Sequence, residues 1–295
     1  MVMSQLRLTR THRVALSQAA AFVLLLIFCV PFLAPLVWLV STALKTPQQV
    51  YAYPPIWIPN PVRLQNFVDA WTAAPFTRFF LNTLITTLIP MIGEVFVSAM
   101  VAYSFARVRW PGRDMVFALC LGTMLLPSVA TFIPVFLEFK ALGWVNTFWP
   151  FIVPAFFGVP FYIFMFRQFM ITLPHELDEA ARIDGANTFQ IFARIILPLL
   201  GPALATVAIF SFMAHWNDFM GPVIYLQKIE LKTLTQGLSS FESMMTGTGG
   251  SYGMLSSRLH LLMAVSLLID LPCIIIFLLF QRYFVRDVVM SGLKG

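Results

Sequence analysis

The chain has 295 residues, of which 59% are hydrophobic and only 11% are charged. Its mean hydropathy is +0.82. A water-soluble domain of this length could not bury so much apolar surface, so the composition indicates an integral membrane protein. The net charge of +6 arises from cations scattered over the polar segments, and nucleic acid is therefore not an expected partner.

Several apolar segments are long enough to cross a bilayer, because a helical span needs roughly 20 residues. In chain order they are residues 15–44, 79–106, 115–137, 141–166, 195–217 and 259–281. None alternates apolar with polar residues as a barrel strand does. The expected fold class is an all-α membrane protein with about six transmembrane helices embedded in membrane lipid. Prolines recur in these segments and predict kinked helices.

The distribution of Lys and Arg predicts the orientation of the chain in the membrane. Cations are denser in one set of loops, which should face the cytoplasm. That set holds Arg7, Arg10, Arg13, Arg107, Arg109, Arg113, Arg167, Arg182, Arg194, Arg282, Arg286 and Lys294. We therefore expect the N-terminus (residues 1–14), the loop 172–198 and the tail 282–295 to lie in the cytoplasm.

The outer segment 46–76 is rich in proline and aromatic residues, among them Tyr53, Trp57 and Trp71. Such residues form aromatic belts at the membrane interface, or offer a surface on which an external partner docks. The sequence leaves both interpretations open.

A charged segment interrupts the apolar chain between the fourth and fifth spans. Pro174 suits a first helical turn, acidic residues follow where the helix dipole favours them, and Gly185 supplies a stop. Asn187, with Gln190 three residues on, is placed to cap a second helix. The predicted structure is helix, glycine turn, helix.

The first of these helices carries a small-residue face beside an acidic one. Leu177, Ala180, Ala181 and Asp184 follow helical spacing, with Glu179 next to them. Small side chains let another backbone approach closely, and carboxylates bond donors on a partner. The alternative is an amphipathic helix resting on the bilayer, but such helices usually carry Lys and Arg on the polar face.

The motif Glu179-Ala180-Ala181, Gly185 and then Leu197-Pro198 resembles the EAA loop of binding-protein-dependent ABC transporter permeases. Its flanks resemble the MalG-like carbohydrate permeases of that group. The matching segments are residues 53–57, Asn82, 102–107, 216–225, 233–238, 281–285 and 292–295.

The resemblance implies a type I ABC importer permease fold, also called MetI-like, for residues 15–281, in the inner membrane of a bacterial or archaeal cell. It implies that the EAA helix sits in a cleft of a cytoplasmic ATPase. The expected coupling residues are Glu179, Ala180, Ala181, Asp184, Gly185, Leu197 and Pro198. The C-terminal tail is expected to contact the ATPase through Ser291, Gly292, Lys294 and Gly295. Implied partners are a second homologous permease, two ABC ATPase subunits and an extracytoplasmic sugar-binding protein.

Neither catalysis nor a resident cofactor is expected of this chain. A phosphate-binding loop ends in Gly-Lys-Ser/Thr, and no Gly-Lys pair occurs, so ATP and Mg²⁺ should belong to the partner ATPase. His175-Glu176 begins like a zinc-protease motif, but Glu179 stands where a second His is required. We expect no catalytic, cofactor-binding or metal residue.

Glu94 and Asp270 are the acids predicted to lie deep in spans. A charge at mid-bilayer costs about 2.5–3.5 kcal/mol, so each should face a partner or a cavity. Three roles remain open: hydroxyl bonding along a sugar path, a proton or ion relay, and structural pairing with a partner permease. Trp216, Asn217 and Asp218, at a span end, suit sugar recognition or a helix cap equally well.

The predicted function is an inner-membrane permease subunit of an ATP-driven importer for a sugar, oligosaccharide or related polyol derivative. The competing hypotheses are a proton-coupled secondary transporter that uses Glu94 and Asp270, and a membrane scaffold without transport activity.

Overall fold

The computed structural model describes residues 2–246 and 252–292, and the segments within these ranges are helices and turns without strands. The helices are α1 (Val2–Ala43), α2 (Pro47–Val50), α3 (Gln65–Thr72), α4 (Phe76–Arg107), α5 (Arg113–Gly122), α6 (Ser128–Ala141), α7 (Trp149–Ala155), α8 (Pro160–Ile171), α9 (Glu176–Ile183), α10 (Thr188–Ile191), α11 (Leu197–Leu199), α12 (Gly201–Trp216), α13 (Met220–Tyr225), α14 (Leu234–Thr246) and α15 (Tyr252–Gly292). A π-helical segment, Phe192–Ile196, joins α10 to α11.

Within the described ranges, four helical segments are long and apolar enough to cross a membrane: Ser17–Ala43, Phe76–Arg107, Trp149–Ile171 and Arg258–Phe280. Two bent pairs, Arg113–Leu125 with Val129–Ala141 and Thr188–Leu199 with Gly201–Trp216, raise the number to six if each pair is one span. The all-α membrane fold expected from composition is confirmed.

The two bends have a local cause in the sequence. The first turns the chain by 99° at Leu126 and Pro127, where Leu126 is extended as residues before proline usually are. The second turns it by 81° at Leu200, just before Gly201 and Pro202. Proline lacks the N–H that would continue a helix, so both breaks follow from the backbone chemistry.

The segment expected to begin the fourth span forms a loop. Helix α6 ends at Ala141 and α7 begins at Trp149. Between them, Gly143 and Asn146 adopt left-handed backbone conformations, with φ of 70° and 61°. The Asn146 amide accepts hydrogen bonds from the N–H groups of Gln227 and Lys228, and its own N–H donates to Tyr225. These bonds hold the loop in a conformation that apolar length alone does not predict.

Two compact units make up the chain: residues 1–73 with 241–268, and residues 74–240 with 269–295. In the first unit, Asn66 of α3 donates from Nδ2 to the carbonyls of Ala43 and Lys45, each at 2.8 Å. Lys45 is fully buried, with Nζ 3.8 Å from the centre of the Trp38 ring. The aromatic outer segment is thereby held to the end of α1.

The second unit is built around α4. This helix packs against α7, α8 and α12, and its alanines let the neighbouring helices come close. Its core includes Ala99, Ala102, Phe166, Ile196 and Val207, each fully buried. Ala181 of α9 belongs to the same core, so the short charged helix is packed onto the bundle.

Candidate functional site

Helix α9 ends at the predicted glycine turn, but it begins later than the sequence predicted, at Glu176, so that Pro174 precedes the helix instead of lying in its first turn. Glu176, Asp178 and Glu179 occupy its first turn, where the partial positive charge of the helix end favours acids. At the other end, Gly185 has a φ of +83°, a conformation that only glycine adopts without strain. The N–H of Ala186 bonds the carbonyl of Ala181 at 2.9 Å and closes the turn.

The second helix is capped as predicted. The Asn187 side chain accepts a hydrogen bond from the Gln190 N–H, and the Gln190 side chain accepts one from the Asn187 N–H, both at 2.9 Å. This reciprocal pair fixes the start of α10. The predicted helix, glycine turn and helix are confirmed.

The start of α9 is held by Arg107, the last residue of α4. Its Nη1 lies 2.8 Å from Oδ2 of Asp178 and also donates to the carbonyl of Pro174. Its Nη2 donates to the carbonyls of Met170 and Leu173, both at 2.7 Å. One guanidinium therefore joins α4, the end of α8 and the first turn of α9.

The two faces of α9 differ in exposure. Ala181 is 6% exposed and packs in the bundle core, so it offers no surface to another protein in this structure. In this structure its small side chain lets α9 lie close to the bundle, and the expected contact of Ala181 with an ATPase stays a prediction. The opposite face exposes Glu179 and Ala180, with Ile183 86% exposed.

The remaining expected coupling residues occupy two places. Asp184 and Gly185 form the exposed turn that ends α9. Leu197 and Pro198 lie after the π-helical segment, just before the 81° bend into α12. Leu197 packs partly against the core, whereas Pro198 is exposed.

The C-terminal tail is only partly described. Ser291 and Gly292 form the end of α15. Lys294 and Gly295 lie outside the described residues.

Glu94 pairs with side chains of its own chain. It is 9% exposed, its Oε2 accepts a 2.6 Å hydrogen bond from the Ser211 hydroxyl, and its Oε1 lies 3.0 Å from Nε2 of His215. These contacts tie α4 to α12. Both partners belong to this chain, so the pairing of Glu94 with a partner permease that the sequence left open stays a prediction.

Trp216 is enclosed by other aromatic rings. It is 2% exposed, its ring stacks on Phe212 with centroids 5.2 Å apart, and Phe80 meets it edge-on. Its Nε1 donates to the carbonyl of Ile269 at 3.1 Å. In this conformation the indole has no open face on which a sugar ring could stack.

Asn217, Asp218 and Asp270 are more accessible. The Asn217 side chain donates to the carbonyl of Met213 at 2.8 Å and lies near the Cys273 thiol. Asp218 accepts from the Gly221 N–H at 3.1 Å and caps the turn into α13. Asp270 is exposed near the middle of the apolar part of α15. Because Cys273 lies one turn from Asp270, Asn217 and Asp270 border the same part of α15.

Sequence reasoning missed two residues of this site. Arg107 is a topology signal and the end of the matching segment 102–107 in the sequence analysis, although its place at the end of a long apolar helix could also have marked it as an anchor. Ile183 was overlooked, although an apolar residue opposite the buried face of a short polar helix signals a contact surface.

Comparison with known proteins identifies the family. The family described as "Binding-protein-dependent transport system inner membrane component" matches residues 94–290, which include α9 and most of the second unit. The chain belongs to this family.

Relatives of this permease agree with the assignment. The probable ABC transporter permease protein YurM of Bacillus subtilis (strain 168) is 32% identical over 95% of this chain and 90% of its own. The arabinooligosaccharides transport system permease protein AraQ of Halalkalibacterium halodurans is 34% identical over 81% and 82%. The permease is a multi-pass inner-membrane transport subunit and not an enzyme.

A solved structure shares the fold. It is a bacterial ABC transporter involved in the import of the acidic polysaccharide alginate, and the superposition has a TM-score of 0.79 over 90% of this chain and 95% of that one. Sequence identity is 23%, so this likeness supports the importer permease fold and nothing finer.

Proposed function

We propose that this permease forms half of a heterodimeric pore through which an ATP-driven importer takes up a sugar, oligosaccharide or related polyol derivative. The second half would be a homologous permease, joined by two ABC ATPase subunits and an extracytoplasmic sugar-binding protein. AraQ, a relative whose name refers to arabinooligosaccharides, and the carbohydrate-permease motifs of the chain support the substrate class.

We further propose that both termini and α9 lie in the cytoplasm. Arg107, Arg167 and Arg182 cluster around α9, on the side where cations are denser along the sequence. Positively charged loops are retained on the cytoplasmic side of a membrane.

The exposed face of α9 is the proposed docking surface for an ATPase subunit. Glu179 provides a carboxylate for a donor on the partner, Ala180 permits close approach, and Ile183 presents an apolar side chain that docking would bury. The turn at Asp184 and Gly185 completes this surface. When ATP and Mg²⁺ are bound, they supply the closing force inside the partner ATPase, and this chain's own residues receive the resulting movement.

The observation that carries the proposal is the anchoring of α9 by Arg107. Because the guanidinium bonds α4, the end of α8 and the first turn of α9, a displacement of α9 pulls on two long helices at once. A helix attached only by a flexible loop would move without transmitting work. Switching between two packed arrangements then follows from differential contacts in the two states.

Asp270 and Asn217 are the proposed substrate-pathway residues of this chain, because they are the exposed members of the candidate set along α12 and α15. Carboxylate and amide groups bond sugar hydroxyls well. Glu94 and Trp216, which are satisfied by contacts inside the chain, would support the packing beside that path.

The test is the substitution Glu179→Lys in the assembled transporter. A reversed charge on the docking face should abolish uptake and weaken recovery of the ATPase with the permease. The matched control is Glu138→Lys, the same change at an exposed glutamate on α6. Wild-type uptake and ATPase recovery in Glu179→Lys would refute the proposed docking face.

A further inference from the structure

A cavity of about 790 Å³ lies beside α9 in the second unit. It is enclosed by the ends of α4 and α8, the start of α5 and one side of α9. Its volume falls within the range of roughly 300–1,000 Å³ typical of ligand-binding pockets. Its lining is rich in arginine and contains Arg107, Arg109, Arg113, Arg167 and Arg182.

Arg107 is already engaged by Asp178, but the other four arginines keep donors for a ligand. Arg109 is exposed and makes no ion pair with any described residue. Arg167 is half-buried and lies 4.2 Å from the centre of the Phe117 ring. Among the described residues, it donates through Nε to the carbonyl of Phe105. Its planar group is thus fixed in orientation while its terminal nitrogens remain available.

Cations exceed anions in this cavity. Once Arg107 is paired with Asp178, the acids near the remaining four arginines are Glu179 in the lining and Asp114 at the surface. Asp114 lies 3.0 Å from Arg113, but its side chain is 77% exposed, so water weakens that pair. A concave site with an excess of one charge concentrates ligands of the opposite charge.

We propose that this cavity binds the phosphate of an anionic phospholipid headgroup. The planar guanidinium group of arginine matches phosphate oxygens in a bidentate manner, so a cluster of arginines favours phosphate over a carboxylate or a neutral sugar. Basic pockets between transmembrane helices on the cytoplasmic side bind such headgroups in membrane proteins. The choice of the cytoplasmic leaflet rests on the proposed orientation, but the phosphate chemistry does not.

The apolar surface beside the cavity favours a lipid over a soluble phosphate. Helix α5 begins at Arg113 and exposes Met115 (67%) and Leu119 (63%) in its first turns. These side chains lead away from the cationic group along an apolar helix, where acyl chains of a bound lipid can lie. A free phosphate would make no use of this surface.

A lipid bound here would also touch the moving part of the permease. Arg182 belongs to α9, whereas Arg109 and Arg113 lie after α4 and at the start of α5. One phosphate bonded by both groups would bridge the docking helix to the membrane-embedded bundle. Anionic lipid would then stabilise one resting position of α9.

The experiment uses the complete purified transporter, stripped of lipid and titrated with phosphatidylglycerol, phosphatidylcholine or inorganic phosphate. Bound lipid is counted by native mass spectrometry. The variants are Arg109→Gln and Arg109→Gln/Arg113→Gln, and the control is Arg194→Gln, an exposed arginine outside the cavity. The single variant changes an exposed side chain that makes no ion pair with any described residue, so it separates lipid affinity from folding.

We expect saturable binding of phosphatidylglycerol, with affinity lowered about fivefold for each arginine removed and unchanged in Arg194→Gln. Phosphatidylcholine should bind more weakly, and inorganic phosphate should not displace the lipid.

Displacement by inorganic phosphate at comparable concentration would identify a soluble ligand and overturn the lipid proposal. Equal affinity of all variants for phosphatidylglycerol would also overturn the lipid proposal. So would a double variant that binds lipid like wild type but no longer recovers the ATPase. Sugar uptake, measured separately, tests the transport proposal independently.

Discussion

Arg107 and Asp178 form a buried ion pair that joins α4 to α9. The two side chains are 1% and 8% exposed, and Nη1 of the guanidinium lies 2.8 Å from Oδ2 of the carboxylate. Three backbone carbonyls, of Met170, Leu173 and Pro174, share the same guanidinium. Charge-assisted hydrogen bonds of this kind are stronger than neutral ones, so this contact is well suited to carry force between helices.

The substitution Arg107→Ala should destabilise the permease and uncouple it. Removing the guanidinium leaves Asp178 buried without its cation, a change that costs about 3–5 kcal/mol. The carbonyls at the end of α8 lose their donor in the same step. We expect a lower melting temperature in detergent and ATPase activity that no longer drives uptake.

The control for this change is Asp69→Asn, which breaks the exposed pair between Arg63 and Asp69. Such surface pairs contribute about 0–1 kcal/mol, so the melting temperature should hardly change. Arg107→Lys offers a second comparison, because one ammonium group cannot reach all the acceptors of the guanidinium. An Arg107→Ala variant as stable and as coupled as wild type would contradict the proposed anchor.

The sequence predicted the spans well where apolar length alone decides them. The predicted spans 79–106 and 259–281 correspond to the helices Phe76–Arg107 and Arg258–Phe280. The fourth predicted span began too early, because the loop at Asn146 is held by bonds to Gln227 and Lys228, 81 and 82 residues away. Hydrogen bonds between distant segments leave no trace in local composition.

The features of the candidate site likewise divide into those that the local sequence predicts and those that depend on distant residues. The stop at Gly185 and the cap at Asn187 are local signals, and the sequence predicted both. The pair Arg107–Asp178 spans 71 residues and the contact Ser211–Glu94 spans 117, so neither could be derived from spacing. Which face of α9 is buried depends on the neighbouring helices, so the burial of Ala181 in the bundle core could not be derived from helical spacing.

Gly237 should not tolerate even the smallest side chain. A Cβ at this position would overlap the ring of Phe79, which is itself 2% exposed and has no room to move. Overpacking of this kind costs about 1–3 kcal/mol. We expect Gly237→Ala to lower the melting temperature of the purified permease.

Gly201→Ala is the matched comparison for this prediction. Gly201 starts α12, and a Cβ there meets no atom within 4 Å. Because alanine favours the helix over glycine, this variant should be at least as stable as wild type. Equal melting temperatures for the two variants would show that the contact with Phe79 is not as tight as described.

Asp218 should make the stability of the permease depend on pH. Burial raises the pKa of this carboxyl above its ordinary value of 3.8, against the opposing effects of the Gly221 and Met220 N–H groups and of His215. A raised pKa means that the folded state binds the proton more tightly than the unfolded state. The stabilisation from this group is therefore complete below pH 3.8 and is lost as the pH rises through the elevated pKa.

The variant Asp218→Asn tests the direction of this pH dependence. An amide keeps the acceptor for the Gly221 N–H but carries no charge at any pH. The melting temperature of wild type relative to the variant should fall as the pH rises from 3.8 through the raised pKa of Asp218. If the wild-type permease instead gained stability relative to the variant as the pH rises, the pKa of Asp218 would be lowered in the folded state and not raised.

Asp270→Asn should alter transport more than stability. The side chain is exposed and has no hydrogen-bond partner among the described residues, so removing its charge disturbs no observed contact. If the carboxylate bonds a hydroxyl of the substrate, the amide will keep part of that bond and raise the concentration needed for half-maximal uptake. Unchanged uptake across a panel of candidate oligosaccharides would remove Asp270 from the pathway.

Glu94→Gln separates an ATP-driven importer from a proton-coupled carrier. In the importer, Glu94 serves as a polar link between α4 and α12, and glutamine can still accept from Ser211 and donate to His215. Uptake should therefore remain close to wild type. In a proton relay, glutamine cannot carry the proton, and transport should fall about a hundredfold or more.

The measurement is uptake into vesicles that contain the complete transporter, with ATP supplied and with or without a protonophore. Glu94→Ala is the second variant, because it leaves the Ser211 hydroxyl and the His215 ring without their acceptor and should lower stability in either mechanism. Insensitivity of Glu94→Gln to the protonophore supports ATP-driven import. The opposite result would be transport by the permease pair alone that is abolished both by the protonophore and by Glu94→Gln. It would establish the proton-coupled carrier, because the energy for transport would then come from the proton gradient and the protons would pass through Glu94.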